Sequence, residues 1–252
     1  IIKSKPNKII LIDYPGFNLS IAKSLKNILD VPIIYYISPQ VWAWKKNRVF
    51  KIKKYIDKLI VVFPFEVSWF KKYGLDVKFF GHPLIDQFQA VKKLNKHRQP
   101  NTVALFPGSR YQEIKKHLPL LNLAAKKLKK ERPSLKFIMN ISPGQSVEEI
   151  QSQLIPGISV VQKNSSEVFM SCSAAVVTSG TATLECAITE TPFIVIYKAS
   201  FLSWLIAKFL LSVPFICIVN LLANKEIVPE LVQGDASVIN ISKKILKLID
   251  NP

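Results

Sequence analysis

Residues 102–113 read TVALFPGSRYQE and residues 174–185 read AAVVTSGTATLE. Each is a short apolar run, then a small-residue loop, then the opening of a helical pattern. A strand that feeds a helix N-terminus in this way is the building unit of parallel α/β sheets. The rhythm extends outward from both stretches. Apolar runs at 135–139, 158–162 and 193–197 read as further strands, and 113–130, 147–153, 165–170, 181–189 and 236–249 as helices. Upstream, 8–12 (KIILI), 33–37 (IIYYI), 59–63 (LIVVF) and 77–80 read as buried strands. Helical patterns fall at 18–28, after a Pro15-Gly16 turn, at 48–55 and at 66–73. Residues 86–100 (DQFQAVKKLNKHRQP) are polar, charged and end in proline, the composition of a connector. The expected architecture is two Rossmann-like, doubly wound parallel-sheet domains, 1–90 and 91–252, with a cleft between them.

The 252 residues are 49% hydrophobic and 21% charged, which supports a sizeable core and excludes a disordered tail. Lys+Arg 35 against Asp+Glu 17 gives a net charge of +18, which invites an anionic partner without choosing it. Only Arg48, Arg98, Arg110 and Arg132 among those cations are arginine; the lysine-rich remainder also fits biased coding. No nucleic-acid-binding signature accompanies the charge, so a nucleic-acid partner is not expected. Cys172, Cys186 and Cys217 have neither CxxC spacing nor a neighbouring His, so they read as buried, inert thiols rather than a disulfide framework or a metal site. No signal-peptide pattern is present. Residues 201–219 (FLSWLIAKFLLSVPFICIV) just reach the length of a bilayer span, but Lys208 sits near the middle and Pro214 interrupts it. The expected reading is an apolar helix over 200–212 and then a buried strand-like run, packed in a core or lying against lipid.

Ligands of open parallel sheets sit beyond the carboxyl ends of the strands, so the candidate residues follow the strands. Ser109 and Gln112 have capping-box spacing, the free N–H groups of that helix start suit an anion, and Arg110 suits phosphate. The competing reading is an ordinary capped turn. Ser179, Gly180, Thr181, Ala182 and Thr183 form a second loop suited to a diphosphate. Glu185 suits ribose hydroxyls, or merely complements the helix dipole. Neither loop has the P-loop spacing. Asp13 ends the first strand, where it suits a general base or an Asx-turn over Pro15-Gly16. Gln40, Trp42 and Trp44 follow the second strand and suit stacking, an acyl-chain wall or domain packing. His82, between Gly81 and Pro83, suits a cleft lining or a backbone contact.

Together, IDYPGFN (12–18), YYISPQVWAWKKNRVFKIKKYIDKLIVVFPFE (35–66), GHPL (81–84), FPGSR-x-x-E (106–113), SGTATLE (179–185), Asn220-Leu221-Leu222-Ala223 and Val228-Pro229-Glu230-Leu231 resemble the lipid-A-disaccharide synthase family, glycosyltransferase family 19. The resemblance runs in order from about residue 8 to 233. It implies the GT-B fold and inverting transfer from UDP-2,3-diacylglucosamine to 2,3-diacylglucosamine 1-phosphate, with no cofactor and no chelating metal. It makes Asp13 the general base. It makes Ser109, Arg110, Ser179–Thr183, Glu185 and Asn220 the uridine-diphosphate contacts. The basic stretch 45–58 and the Trp42/Trp44 region fit anionic, acylated sugars at a membrane surface. The implied location is cytoplasmic, on the inner face of a Gram-negative inner membrane. The family's glycine-rich start and its C-terminal helices, which can exchange between subunits of a homodimer, have no counterpart in these residues. The first domain is therefore expected to be incomplete, which leaves the activity of these residues alone open. The alternatives are another GT-B transferase or epimerase that uses UDP-N-acetylglucosamine, and an inactive lipid-binding fragment.

Overall fold

A computed structural model describes residues 1–92, 98–200, 204 and 213–251. The chain divides into two compact units, one built on Ile1–Pro83, the other on Leu84–Leu205 and Pro214–Pro252.

The first unit runs β1 (Ile9–Ile12), α1 (Pro15–Lys26), β2 (Ile33–Tyr36), α2 (Arg48–Tyr55), β3 (Lys58–Val61), α3 (Pro64–Lys71) and β4 (Val77–Phe79). Its strands form a parallel sheet in the order β1-β2-β3-β4. Ile33, Tyr35, Leu59 and Val61 are buried in its core with Ala22, Ile52 and Phe70 of the helices. β1 was expected to be buried throughout, yet Ile10 and Ile12 are 62% and 57% exposed. It is an edge strand, and only its Ile9/Leu11 face packs on the core. The first helix also starts earlier than expected. The chain turns at Asp13 and Tyr14, both left-handed at φ 45° and 43°. Pro15 then occupies the first helical position, where its fixed φ suits the helix and its missing N–H costs nothing.

The second unit opens with α4 (Pro83–Lys92), which takes the place of the expected connector. Leu84, Phe88 and Val91 recur at helical spacing there, which outweighs the polar composition. Next come β5 (Gln99–Phe106), α5 (Tyr111–Glu131), β6 (Lys136–Asn140), α6 (Val147–Ser152), β7 (Ile158–Val161), α7 (Ser165–Ser171), β8 (Cys172–Thr178), α8 (Thr181–Ile188) and β9 (Phe193–Tyr197). The chain ends with α9 (Ile218–Ala223), β10 (Glu230–Val232) and α10 (Val238–Asp250). All strands are parallel, in the order β10-β9-β8-β5-β6-β7. The chain moves outward from β5 through β6 and β7, then returns to the other side of β5 and builds outward again. The order reverses between β5 and β8, the place where such sheets open a crevice for ligands. Val103, Leu105, Ala174 and Val176 face α5 and α10, while Phe106 stacks on Phe169 of α7 at 4.2 Å.

The expected helix over 200–212 lies almost wholly outside the described residues. The strand-like run expected after it does not form. The N–H groups of Ile216 and Cys217 donate to the Glu230 carboxylate rather than to a neighbouring strand, and the chain enters α9. Among the described residues, no helix is long and apolar enough to cross a membrane. All three cysteines are buried and free, and burial pushes the Cys172 thiol up to about 11.

Candidate active site

β5 and β8 are hydrogen-bonded neighbours with Phe106 opposite Val177. The loops that follow them therefore leave the sheet side by side at the switch point, although some 70 residues separate them in sequence. Thr178 ties the two ends together, its hydroxyl donating to the Phe106 carbonyl at 2.9 Å.

In the first loop, Gly108 has φ +112°, a conformation that glycine alone adopts easily. A Cβ there would meet the Glu113 carboxylate at 2.6 Å, so Glu113 lies directly over the loop. Its Oε2 accepts from the N–H groups of Ser109 (3.1 Å) and Arg110 (3.3 Å), and its Oε1 from the Arg110 guanidinium (3.2 Å). The expected Ser109–Gln112 box does not form: Glu113 instead takes the N–H groups of Ser109 and Arg110, because a carboxylate is the stronger acceptor. Two N–H groups expected to meet an anion are already capped. Those of Tyr111 and Gln112 are the ones the helix geometry leaves without an acceptor. Arg110 itself is 83% exposed along its side chain, and among the described residues this surface pair holds it.

In the second loop, Ser179 donates its hydroxyl to the Ile216 carbonyl (2.8 Å). Thr183 is fully buried and bonds back to the Gly180 carbonyl (2.7 Å). These two side chains shape the loop, whereas Gly180 and Thr181 are exposed at the start of α8 and Ala182 is half-buried. Glu185 is half-buried beside the start of α7; burial raises its carboxyl above the ordinary range, opposed by a hydrogen bond from Ser165. Asn220 is fully buried, and its amide is committed on every side. It donates to the Val228 carbonyl and Glu230 Oε1, both at 2.8 Å, and accepts from the N–H groups of Ile227 and Val228, both at 2.9 Å. Asn220, expected as a uridine-diphosphate contact, thus uses its side chain to shape the loop that meets Ser179 through Ile216.

In the first unit, the candidates also lie beyond strand ends. Asp13 is held by its backbone: its N–H donates to the Tyr36 carbonyl (3.0 Å), and its carbonyl accepts from Asn18 Nδ2 (2.6 Å) and from the Tyr35 hydroxyl. Its carboxylate is exposed and makes no hydrogen bond among the described residues, so no Asx-turn forms. The Tyr35 phenol is pushed up to about 12 by burial and by Asp13. Gln40 is exposed. Trp42 is buried, edge-on to Phe65 at 4.9 Å, which removes it from an exposed acyl-chain wall. Trp44 is 41% exposed, with the Lys45 ammonium 4.5 Å and the Arg48 guanidinium 5.5 Å from its ring. His82 is half-buried against Phe63 at 5.5 Å, and burial lowers its pKa. It follows β4, three strand spacings or about 14 Å across the sheet from β1 and Asp13.

Glu66 and His117 escaped the sequence reading. Glu66, buried in the first turn of α3, accepts from Ser38 Oγ (2.9 Å), Trp42 Nε1 (2.8 Å) and the N–H groups of Val62 (3.2 Å) and Phe63 (3.0 Å). Burial raises its carboxyl above the ordinary range, and the four donors only partly offset this. The Pro-x-Glu start of a helix is its local signal. His117 is fully buried beneath the first loop. Its local pattern, one His among Ile114, Leu118 and Leu121, is that of a core face.

A family model for lipid-A-disaccharide synthetase matches residues 1–252. The chain belongs to the lipid-A-disaccharide synthetase family. Lipid-A-disaccharide synthase 1 of Legionella pneumophila (strain Lens) is 40% identical over 98% of this chain and 67% of that protein. The synthase of Coxiella burnetii (strain Dugway 5J108-111) is 38% identical over 99% of this chain and 68% of that protein. Family membership carries the activity class, a hexosyl transfer that forms the lipid A disaccharide. Among solved structures, UDP-GlcNAc 2-epimerase from Neisseria meningitidis bound to UDP-GlcNAc covers 100% of this chain and 72% of its own, with TM-score 0.65 at 12% identity. The S. aureus MnaA-UDP co-structure covers 99% and 68%, with TM-score 0.67 at 12% identity. These likenesses give the synthetase family chain a GT-B fold.

Proposed function

We propose that this chain joins 2,3-diacylglucosamine, carried by UDP, to the 6-hydroxyl of 2,3-diacylglucosamine 1-phosphate with inversion, releasing UDP. The observation that carries the nucleotide half of this reading is the pairing, at the switch point, of two loops that each open a helix N-terminus. The solved neighbours that hold UDP-GlcNAc or UDP on the same fold support it. Arg110 and the N–H groups of Tyr111, Gln112 and the start of α8 take the diphosphate, and Glu185 takes the ribose hydroxyls. Asp13 is the base. Its strand-end position and uncommitted carboxylate support that role. The carboxylate accepts the acceptor's 6-hydroxyl proton as that oxygen bonds to the anomeric carbon. The anomeric bond to UDP breaks, and its electron pair leaves on the diphosphate, whose charge the cation and helix dipoles offset. The exposed Trp44, flanked by Lys45 and Arg48, and the exposed Phe50 of α2 support contact with an anionic membrane.

Titration calorimetry with UDP tests the nucleotide site: Arg110→Ala should weaken binding at least tenfold, and unchanged affinity refutes its role. Asp13→Asn should bind UDP as before and lose about 10³-fold in turnover. Retained turnover removes Asp13 as the base. Competition between acylated and unacylated UDP-glucosamine separates this reading from a UDP-N-acetylglucosamine transferase or epimerase, which would not favour the acylated donor.

A further inference from the structure

His117 lies where α5 crosses beneath the ends of three adjacent strands. Its Nδ1 is 2.9 Å from the Pro107 carbonyl, just after β5, and 3.2 Å from Thr178 Oγ1, at the end of β8. Its Nε2 accepts the Lys198 N–H, just after β9, at 2.9 Å. The donors settle which nitrogen carries the proton. A backbone N–H can only donate, so Nε2 is a bare acceptor. The Thr178 hydroxyl gives its hydrogen to the Phe106 carbonyl, so towards the ring it accepts. The remaining ring proton sits on Nδ1, shared between the Pro107 carbonyl and Thr178. The ring is thus neutral, and every polar atom around it is satisfied. Burial, with help from Lys116 and Lys198, lowers its pKa and keeps it so, against the opposing pull of the Pro107 bond and Glu113.

One helical turn before His117 stands Glu113, which grips the N–H groups of Ser109 and Arg110. The two side chains therefore hold both ends of the 107–110 loop from one helix face, one through its N–H groups and the other through its first carbonyl. We infer that His117 is a positioning residue for the nucleotide diphosphate: with Glu113 it clamps the 107–110 loop, and by bridging the ends of β5, β8 and β9 it fixes that loop relative to the 179–183 loop. This rests on the reading of the two loops as the UDP site. A loop already held in its binding geometry loses less conformational freedom when the ligand arrives, so the clamp should show in affinity for UDP and in donor KM rather than in kcat.

The test compares UDP affinity by calorimetry, and donor KM and kcat, in the unmodified protein, His117→Leu and His117→Gln. Leu fills the volume without a polar atom. Gln offers an N–H donor and a carbonyl acceptor about as far apart as the two ring nitrogens. His117→Leu should raise the UDP Kd and donor KM about tenfold while kcat stays within about threefold, and His117→Gln should recover most of that loss. A folded Leu variant with a lower Tm and unchanged UDP affinity overturns the clamp, as does a folded Gln variant no better than Leu. Should His117→Leu fail to fold, the near-isosteric Thr178→Val removes the neighbouring hydroxyl. It should weaken UDP at least threefold, and unchanged affinity refutes the inference. Arg110→Ala is the control for the site itself. UDP binding weakened by Arg110→Ala but untouched at His117 sinks the clamp alone; no UDP binding by the unmodified protein sinks the site reading and the clamp with it.

Discussion

Glu66→Gln probes the segment that carries Trp42 and Trp44. The carboxylate offers two oxygens to four buried donors: Ser38 Oγ and Trp42 Nε1 on one, the N–H groups of Val62 and Phe63 on the other. An amide keeps one oxygen and turns two N–H bonds towards the other pair. Facing Val62 and Phe63, those hydrogens would strand two backbone donors with no way to adapt. The amide should therefore turn its oxygen to them and its nitrogen to Ser38 and Trp42. The Ser38 hydroxyl can rotate and accept, but the indole can only donate. One buried indole N–H then loses its acceptor, at about 1–3 kcal/mol. The two surviving bonds lose their charge assistance, roughly 1 kcal/mol together. Relief from burying a charge offsets about 1 kcal/mol. The net expectation is a loss of about 2 kcal/mol from a domain stability on the order of 5–15 kcal/mol. Urea unfolding followed by tryptophan emission reads it, because Trp42, Trp44 and Trp69 lie in the first unit and only Trp204 in the second. The native-state emission should also shift as the indole loses its partner. A change below about 0.5 kcal/mol with an unaltered m-value and unaltered emission would refute the network's role in holding this segment.

Gly108→Ala forces a side chain into a left-handed backbone and against the Glu113 carboxylate; it should destabilise the second unit by about 2–4 kcal/mol in thermal melts and weaken UDP binding. Asn220→Ala removes four buried hydrogen bonds that tie Val228 and Glu230 to α9, so a loss of about 3 kcal/mol is expected, read as a lower urea midpoint. Acidification acts through His117, whose folded pKa lies below its unfolded value of about 6.5. The unfolded chain takes up the proton first, so the contribution of His117 is whole above pH ~6.5 and is lost as the pH falls through the folded value. Glu113, Lys116, Lys198 and Tyr197 are the titratable neighbours around it. Subtracting the stability–pH curve of His117→Gln from that of the native protein isolates the effect, and a flat difference between pH 7 and 5 contradicts it.

What was legible in the sequence was what repeats locally. Short continuous apolar runs, helical runs of period 3.6 and the small residues between them depend only on near neighbours. They placed most strands and helices to within a few residues, though not α9 or β10, and put Asp13, Arg110 and the 179–185 loop at strand ends. The exceptions have local causes that composition hides: Pro15 opens a helix instead of a turn, and the polar 83–92 stretch is helical because three apolar residues recur at the right spacing. Strand order is different in kind. That β8 pairs with β5, and so brings the 107–110 loop beside the 179–183 loop, follows from where the returning chain packs its apolar face, which no short window contains. The same holds for the polar interior. Glu66 reads as a helix-start carboxylate, His117 as a core residue and Asn220 as a ligand contact. Only the fold places four donors around Glu66, three strand ends around His117 and the 227–230 turn around Asn220, because a buried polar group takes its role from whatever distant chain comes to satisfy it.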